Sequence, residues 1–398
     1  AVGSGALDSN TTAGCNTSIG HGSMGDNTEG ANNVAVGRSA LGSNTTGTSN
    51  VAIGRSSLTL NTTATGNTAT GAFALDKNTT GANNVGLGWQ ALTANTTASN
   101  NVAVGALALL TNTTGRHNTG LGTCALKLNT EGIQNVAVGS GSLDASTTAD
   151  ANTAVGYESL TATTTGEANT ALGWGALCDN TTGNLNTAVG QESLQNITTG
   201  CCNTAIGRAS GETITTGAAN TMIGYNNQSS SATGTNRIGL GNSVTVSAND
   251  QFRFGAGGVD VVFNQFATNA SFTRVSDQRT KKEINTNEDL GLNFINDLRT
   301  VTYKKRAPSE LPETFKDYNS NITEPKHKEK LYGMIAQEVK EALDKNNITD
   351  FGGWVEDEDS GLQAISQEMF IYPLIKAIQE LSETNKDLKS RIEALESN

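Results

Sequence analysis

From Gly3 to Gly241 a glycine returns every 17 residues, with no insertion in between. Four residues before these glycines stands Asn, from Asn16 to Asn220, and eight residues after them stands Thr, from Thr11 to Thr215. A globular core varies its spacing from element to element. A fixed period means that each turn of chain lies on the turn before it, so like residues line up in columns. The repeat therefore predicts a β-solenoid or β-roll.

One unit shows the chemistry. Val34-Ala35-Val36 alternates with period two and reads as a short strand. Val34 and Val36 share one face. The other face is kept to Ala or Gly, as at Ala52, Gly86, Ala103 and Gly120. Such a small column predicts another backbone close by, and three chains are expected to associate through it. Leu41 recurs at Leu58, Leu75 and Leu92 and is expected to fill the inside of the turn. Asn44-Thr45-Thr46-Gly47 is a turn sequence. Stacked Asn and Thr columns can hydrogen-bond along the axis. At about 4.8 Å per turn, fourteen steps give a shaft of roughly 67 Å.

Charge marks where the repeat stops. Residues 1–241 hold 12 acidic and 7 basic side chains; the remaining 157 residues hold 26 and 19 of the totals of 38 and 26. The expected divisions are a shaft over 1–241, a β-rich neck over 242–275 and a separate domain over 276–398. In the neck, Val244 and Val246, Phe252 and Phe254, and Val259, Val261 and Phe263 alternate as strands, with a turn at Gly255-Ala256-Gly257-Gly258. The net charge of −12 argues against nucleic-acid binding. No apolar run reaches 18 residues, so no membrane span is expected. The five cysteines (Cys15, Cys124, Cys178, Cys201, Cys202) have no metal-ligand spacing, and the three histidines (His21, His117, His327) are far apart. No metal and no cofactor are expected. The chain starts without Met, two residues before a repeat glycine, and is read as a fragment with an N-terminal attachment region expected ahead of it.

The column after each glycine varies most, with Arg38, Arg55, Trp89, Tyr157, Trp174, Arg208 and Tyr225. It is either an unconstrained solvent face or a contact for a host-surface glycan or protein, with Trp89, Tyr157 and Trp174 as contact residues. Glu158 and Glu192 stand two turns apart, roughly 10 Å by the stacking distance, which leaves a glycan depolymerase as an alternative.

Two resemblances add to this. Asn33-Val34-Ala35-Val36-Gly37, followed by a small residue and Leu, resembles the β-roll repeats in head domains of trimeric autotransporter adhesins. Ser276-Asp277-Gln278-Arg279-Thr280-Lys281-Lys282-Glu283-Ile284 resembles the opening of the endosialidase-type C-terminal intramolecular chaperone, a self-cleaving domain of phage tail spikes and fibres. Val301-Thr302-Tyr303 is similar to that family's strand after its first helix. Tyr332-Gly333-Met334-Ile335-Ala336-Gln337-Glu338-Val339 is similar to its Gly-x-Ile-Ala-Gln-Glu helix start. The resemblance implies an α+β domain that trimerises, sets the register of the upstream fibre and is released between Val275 and Ser276. It makes Ser276 the nucleophile and Lys281 the base, with Lys282 as the substitute. A Lys becomes a base where burial or nearby cations lower its pKa, and Arg279 and Lys282 are close in sequence. Asp277 could orient the pair. Alone, Ser-Asp would equally read as a cap before a charged segment.

The tail is legible without any family. Ile371, Leu374, Ile378, Leu381, Asn385, Leu388, Ile392 and Leu395 keep an a/d heptad, so residues 371–396 form a coiled coil. Ile at a and Leu at d favour two strands; the resemblance implies three. Asn385 at an a position would fix register. The expected molecule is mainly β and homotrimeric: a virion fibre or spike segment, extracellular-facing after assembly in the host cytoplasm. A non-viral trimeric surface adhesin with the same terminal domain is the alternative.

Overall fold

The computed structural model describes residues 1–257, 260–265, 273–274, 278, 282–313, 318–325, 328–356 and 362–397. The chain divides into two compact units, residues 1–280 and 281–398.

The first unit is a β-solenoid of about 14 turns. Thirteen three-residue strands, β1 (Thr17–Ile19) to β13 (Thr221–Ile223), recur at the repeat interval. Each pairs in parallel with its successor in a constant register, as in Val34↔Val51 and Ala35↔Ala52. The sheet does not stop at residue 241. β15 (Ile238–Asn242) pairs in parallel with β17 (Gln251–Ala256), and β17 pairs antiparallel with β18 (Asp260–Gln265). Short strands β14 (Gln228–Ser229) and β16 (Thr245–Val246) make a second pairing beside it.

The glycine column is steric in origin. At Gly54 the backbone has φ of +128°, and a Cβ there would lie 2.7 Å from the Gly71 carbonyl carbon of the next turn. The Leu column sits in the left-handed region too, with φ of 53° at Leu41. That conformation costs about 1–2 kcal/mol. Complete burial of the side chain returns about 1.5–3 kcal/mol, and the Leu column from Leu41 to Leu194 is fully buried.

The Ala/Gly column, expected on an interface between chains, lies inside the coil instead. Ala35, Ala52, Ala103 and Ala137 are fully buried within a single chain. A Cβ at Gly86 would meet Leu75 Cγ at 3.4 Å and the Ala91 carbonyl oxygen at 3.3 Å. The close backbone is thus the chain's own, a few residues on. The residues flanking each Ala are the half-exposed outer face, as in Val34 and Val36.

Two Asn columns run through the interior. Asn50 N–H donates to Asn33 Oδ1 at 2.9 Å, and Asn50 Nδ2 donates to Ala64 O at 2.9 Å. In the second column Asn44 Nδ2 donates to Asn27 Oδ1 at 2.7 Å and to Gly47 O at 3.0 Å. The Thr45 hydroxyl donates to the Thr62 carbonyl at 3.1 Å. These amides are fully buried, and paired amides avoid the roughly 1–3 kcal/mol that each buried orphan costs. The second column is interrupted where Ser146 and Thr163 replace Asn, and it becomes apolar at Ile197 and Ile214. Among the described residues Asn129 Oδ1 and Ser146 Oγ, at the first interruption, have no hydrogen-bond partner. The first column ends at Arg237. Its amide takes the Asn place on Asn220 Oδ1, and its buried guanidinium donates to Ser229 Oγ, Ser230 Oγ, Val246 O and Asn249 Oδ1.

The second unit is α+β. Helix α1 (Leu292–Asp297) is followed by β20 (Val301–Tyr303), which pairs antiparallel with β21 (Leu331–Gly333). Helix α2 (Ala336–Lys345), the hairpin β22 (Trp354–Glu356) with β23 (Gln363–Ile365), and the 26-residue helix α3 (Ile371–Glu396) complete it. Phe294 stacks on Phe370 at 6.3 Å, and Phe351 meets Phe370 edge-on at 5.2 Å. Val339, Leu343 and Ile348 pack around these rings.

Candidate functional site

The motif Ser276–Ile284 is described only in part. Val275, Ser276, Asp277, Arg279 and Lys281 lie outside the described residues. Lys282 is exposed, 3.8 Å from the Glu283 carboxylate. Ile284 is exposed as well.

The later sequence elements come together. Val301-Thr302-Tyr303 and Tyr332-Gly333 are the two strands of one hairpin, and α2 begins three residues after it, at Ala336. The carboxylate of Glu338, in the first turn of α2, accepts from Arg299 Nε at 3.0 Å and makes a second contact with the Arg299 guanidinium. The hydrogen bond from Arg299 holds the Glu338 carboxyl below its ordinary range and raises the guanidinium. At the other end of α2, Lys345 bonds Asp297 of α1, with Asn346 Nδ2 on the second oxygen at 2.9 Å. Both partners lower the Asp297 carboxyl, Lys345 the more. Acid at the helix start and base at its end also suit the helix dipole. Glu338 thereby ties the start of α2 to the segment between α1 and β20. Leu292 N–H donates to Glu380 Oε2 at 2.7 Å and ties α1 to α3.

The seam of α3 is open. Ile371, Leu374, Ile378, Leu381, Asn385, Leu388, Ile392 and Leu395 are all exposed, Ile378 at 66% and Leu395 at 77%. Pro373 and Ala377, off that seam, are the side chains α3 buries against its own unit. A cleft of about 700 Å³ lies at the head of the seam, lined by Ile295, Leu298, Val301, Tyr332, Phe370 and Leu374. Leu374 belongs both to the cleft and to the first d position. The sequence showed the heptad but not the cleft, which needs β20, β21 and α1 side by side.

On the solenoid, the column after each repeat glycine points outward. Trp89, Tyr157, Trp174 and Tyr225 are 51, 50, 46 and 49% exposed. The Tyr157 hydroxyl donates to the Glu158 carboxylate, and this hydrogen bond raises the phenol. Arg208 Nη1 approaches the Tyr225 hydroxyl at 3.3 Å, its guanidinium carbon 5.8 Å from the ring centre. Cys178 Sγ lies 3.0 Å from Asp179 Oδ1, and burial pushes its thiol up to about 12. Among the described residues no group of three His, Cys, Asp or Glu could hold a metal, and no helix is long and apolar enough to cross a membrane.

Residues 276–348 match the family model of the chaperone of endosialidase, a serine-peptidase family. The match begins at Ser276 and takes in both strands of the hairpin and α2. With the solenoid it fits a fibre or spike that carries a C-terminal intramolecular chaperone. No curated protein and no solved structure shows significant similarity to the chain.

Proposed function

We propose that the chain is part of a virion fibre or spike that attaches to a host surface, and that its C-terminal unit aligns three copies and then cleaves itself away between Val275 and Ser276. One observation carries this reading: a chaperone-family match that begins at Ser276 is followed by a helix whose entire heptad seam is open.

Association through the solenoid uses the outer strand face. From Val2 to Leu240 the residue before each repeat glycine is Val, Ile or Leu except at Thr70, and neither outer column holds a charge. Ile19, Ile53, Leu172 and Ile206 are 40–47% exposed. Finishing their burial is worth about 1 kcal/mol each, on the order of 10 kcal/mol for the whole stripe. Association costs about 4–15 kcal/mol, so the stripe alone is marginal. Aliphatic side chains also interchange between turns, so chains shifted by one turn fit nearly as well. The seam of α3 and its cleft supply the missing affinity, and Asn385, an amide among aliphatic a positions, admits one alignment.

The cleavage step balances without a cofactor. The Ser276 hydroxyl attacks the Val275 carbonyl carbon as Lys281 takes its proton. The Val275–Ser276 C–N bond breaks, the proton passes to the freed Ser276 amine, and Val275 is left as an ester on Ser276 Oγ. Water then hydrolyses that ester to the Val275 carboxylate and the Ser276 hydroxyl. One water is consumed, and the residue acts once.

Intact mass of the purified chain tests this. Wild type should yield a fragment ending at Val275, and Ser276→Ala should stay whole. Wild type and mutant both intact, or both cut, would overturn the assignment.

A further inference from the structure

The outward column changes character along the solenoid. Over five consecutive turns it reads Tyr157, Trp174, Gln191, Arg208 and Tyr225, and all five are exposed. These turns hold three of the column's four aromatic residues, the other being Trp89. Nothing in the coil's own packing asks for them there, since the same position is Ala72, Ala106 or Ser140 elsewhere. In the next column Glu158 and Glu192 alternate with Gly175, and Glu192 Cγ lies 3.9 Å from where a Gly175 Cβ would stand. Carboxylates therefore stand beside Tyr157 and Gln191, with a side-chain-free step between them, before the column turns to Ala209 and Asn226.

We propose that this ridge binds a neutral, ribbon-like β-linked polysaccharide lying along the solenoid axis. Successive turns are about 4.8 Å apart, so Tyr157 to Tyr225 spans roughly 19 Å in a straight line. A straight row of equal steps suits a polymer with its own repeat. Tyr157 and Trp174, on adjacent turns, offer ring faces to the C–H faces of sugar rings. Glu158, Glu192 and Arg208 supply acceptors and donors for hydroxyl groups. A helix or sheet from a protein partner would need a contiguous apolar patch. Here one flank is polar, with Asp179, Gln195 and Asn196, and the aliphatic stripe on the other flank, with Leu172 and Ile206, is the face proposed above for association between chains. Charge decides between sugar classes. Across residues 151–230 Arg208 is the one cation against Glu158, Glu167, Asp179, Glu192 and Glu212, a field that repels an acidic polysaccharide.

This inference rests on the shaft being the part of a fibre that meets the host. The test uses the full chain, with cellohexaose and chitohexaose as neutral probes and hexagalacturonate as the acidic one, read by titration calorimetry. At least one neutral probe should bind with Kd of about 1 mM or tighter. Trp174→Ala and Tyr157→Ala should each weaken it about tenfold or more, as expected for a lost stacking face. Trp89→Ala, four turns away from Tyr157, should bind as wild type. All three side chains are about half exposed, so the variants should sediment and melt like wild type. No binding of either neutral probe at about 10 mM, tighter binding of hexagalacturonate, or unchanged binding by Trp174→Ala would each overturn the proposal. Sugar binding can fail while trimers form and Ser276 cleaves, which leaves the fibre reading standing; a monomeric chain that still binds sugar would sink the fibre reading alone.

Discussion

The two units hold themselves together by opposite means. The solenoid relies on uncharged columns: each buried Asn bonds the turn beside it, and each Leu lies over the next. Its bonds join segments one repeat apart in sequence, so they form locally and are all alike. The C-terminal unit has a small aromatic core, ion pairs at both ends of α2, and a long helix whose apolar seam faces away from that core. Self-similar bonding makes a stable turn but says nothing about which turn of a second chain lies alongside. An open heptad with one amide does say so, at the cost of leaving apolar surface exposed in the single chain.

The sharpest way to break that division of labour is to spoil the seam and leave the solenoid intact. Leu381→Asp puts a charge at a central d position and should turn trimers into monomers in sedimentation, while the strand signal in circular dichroism persists. Trimers that survive it would mean that the solenoid stripe suffices. The next effect is local to the solenoid. Asn101 Oδ1 accepts from Asn118 N–H at 3.0 Å, and its Nδ2 donates to Gly115 O at 2.9 Å. Asn101→Ala strands one buried donor and weakens one buried acceptor, an expected loss of about 2–5 kcal/mol in chemical denaturation. A loss below about 0.5 kcal/mol would show that the columns are not what stabilises the coil.

Most of the solenoid was written in the sequence, because a period of 17 leaves few ways to stack. The Leu column, the Asn and Thr ladders and the outward aromatic column all follow from it. The side on which Ala35 lies did not follow. A three-residue strand shows which residues share a face, yet small residues suit a tight interior and a close interface equally well. Only the path of the chain settles it, which lays each Leu under the small residue of the next turn's strand, as Leu75 lies under Gly86. Arg237 was visible as the first break in the Asn column, and its role as a cap needed Ser229, Val246 and Asn249 in place. In the C-terminal unit the heptad was legible from pattern, whereas the strand at Val301 and the helix start at Ala336 came from the family resemblance. The Arg299–Glu338 clamp joins residues 39 apart, and no local pattern encodes such a pairing. The residues assigned to cleavage, Ser276 and Lys281, rest on sequence resemblance and the family match alone.

A smaller change sharpens the comparison from the solenoid side. At the first interruption of the second Asn column, the Asn129 Oδ1 acceptor and the Ser146 hydroxyl lack partners among the described residues. Ser146→Asn restores the side chain used at Asn112 and Asn129. Its Nδ2 would donate to Asn129 Oδ1, and the Thr163 hydroxyl could donate to its Oδ1. A gain of about 1 kcal/mol is expected, read as a raised melting midpoint. A lowered midpoint would mean that this step of the coil has no room for an amide.

Acid should move the two units in opposite directions, by the least of these effects. Glu338 and Asp297 are held below their unfolded values by Arg299 and Lys345, so their contribution is present above about pH 4.5 and is lost as pH falls through the folded values. Asp144, in the solenoid, is raised by burial and only partly lowered again by Lys127. A raised carboxyl favours the folded state when protonated, so its contribution is present below the unfolded value and is lost as pH rises through the folded one. On going from about pH 5 to pH 3.5, melting followed by the helix signal, which among the described residues belongs to α1, α2 and α3, should move to lower temperature. Melting followed by the strand signal should hold or rise slightly. Glu338→Gln should flatten the helix response, because it removes the titrating partner of Arg299 and keeps a similar shape. If both signals fall together in wild type and in Glu338→Gln, the two units share one electrostatic response, and the contrast between an uncharged stack and an ion-paired cap fails.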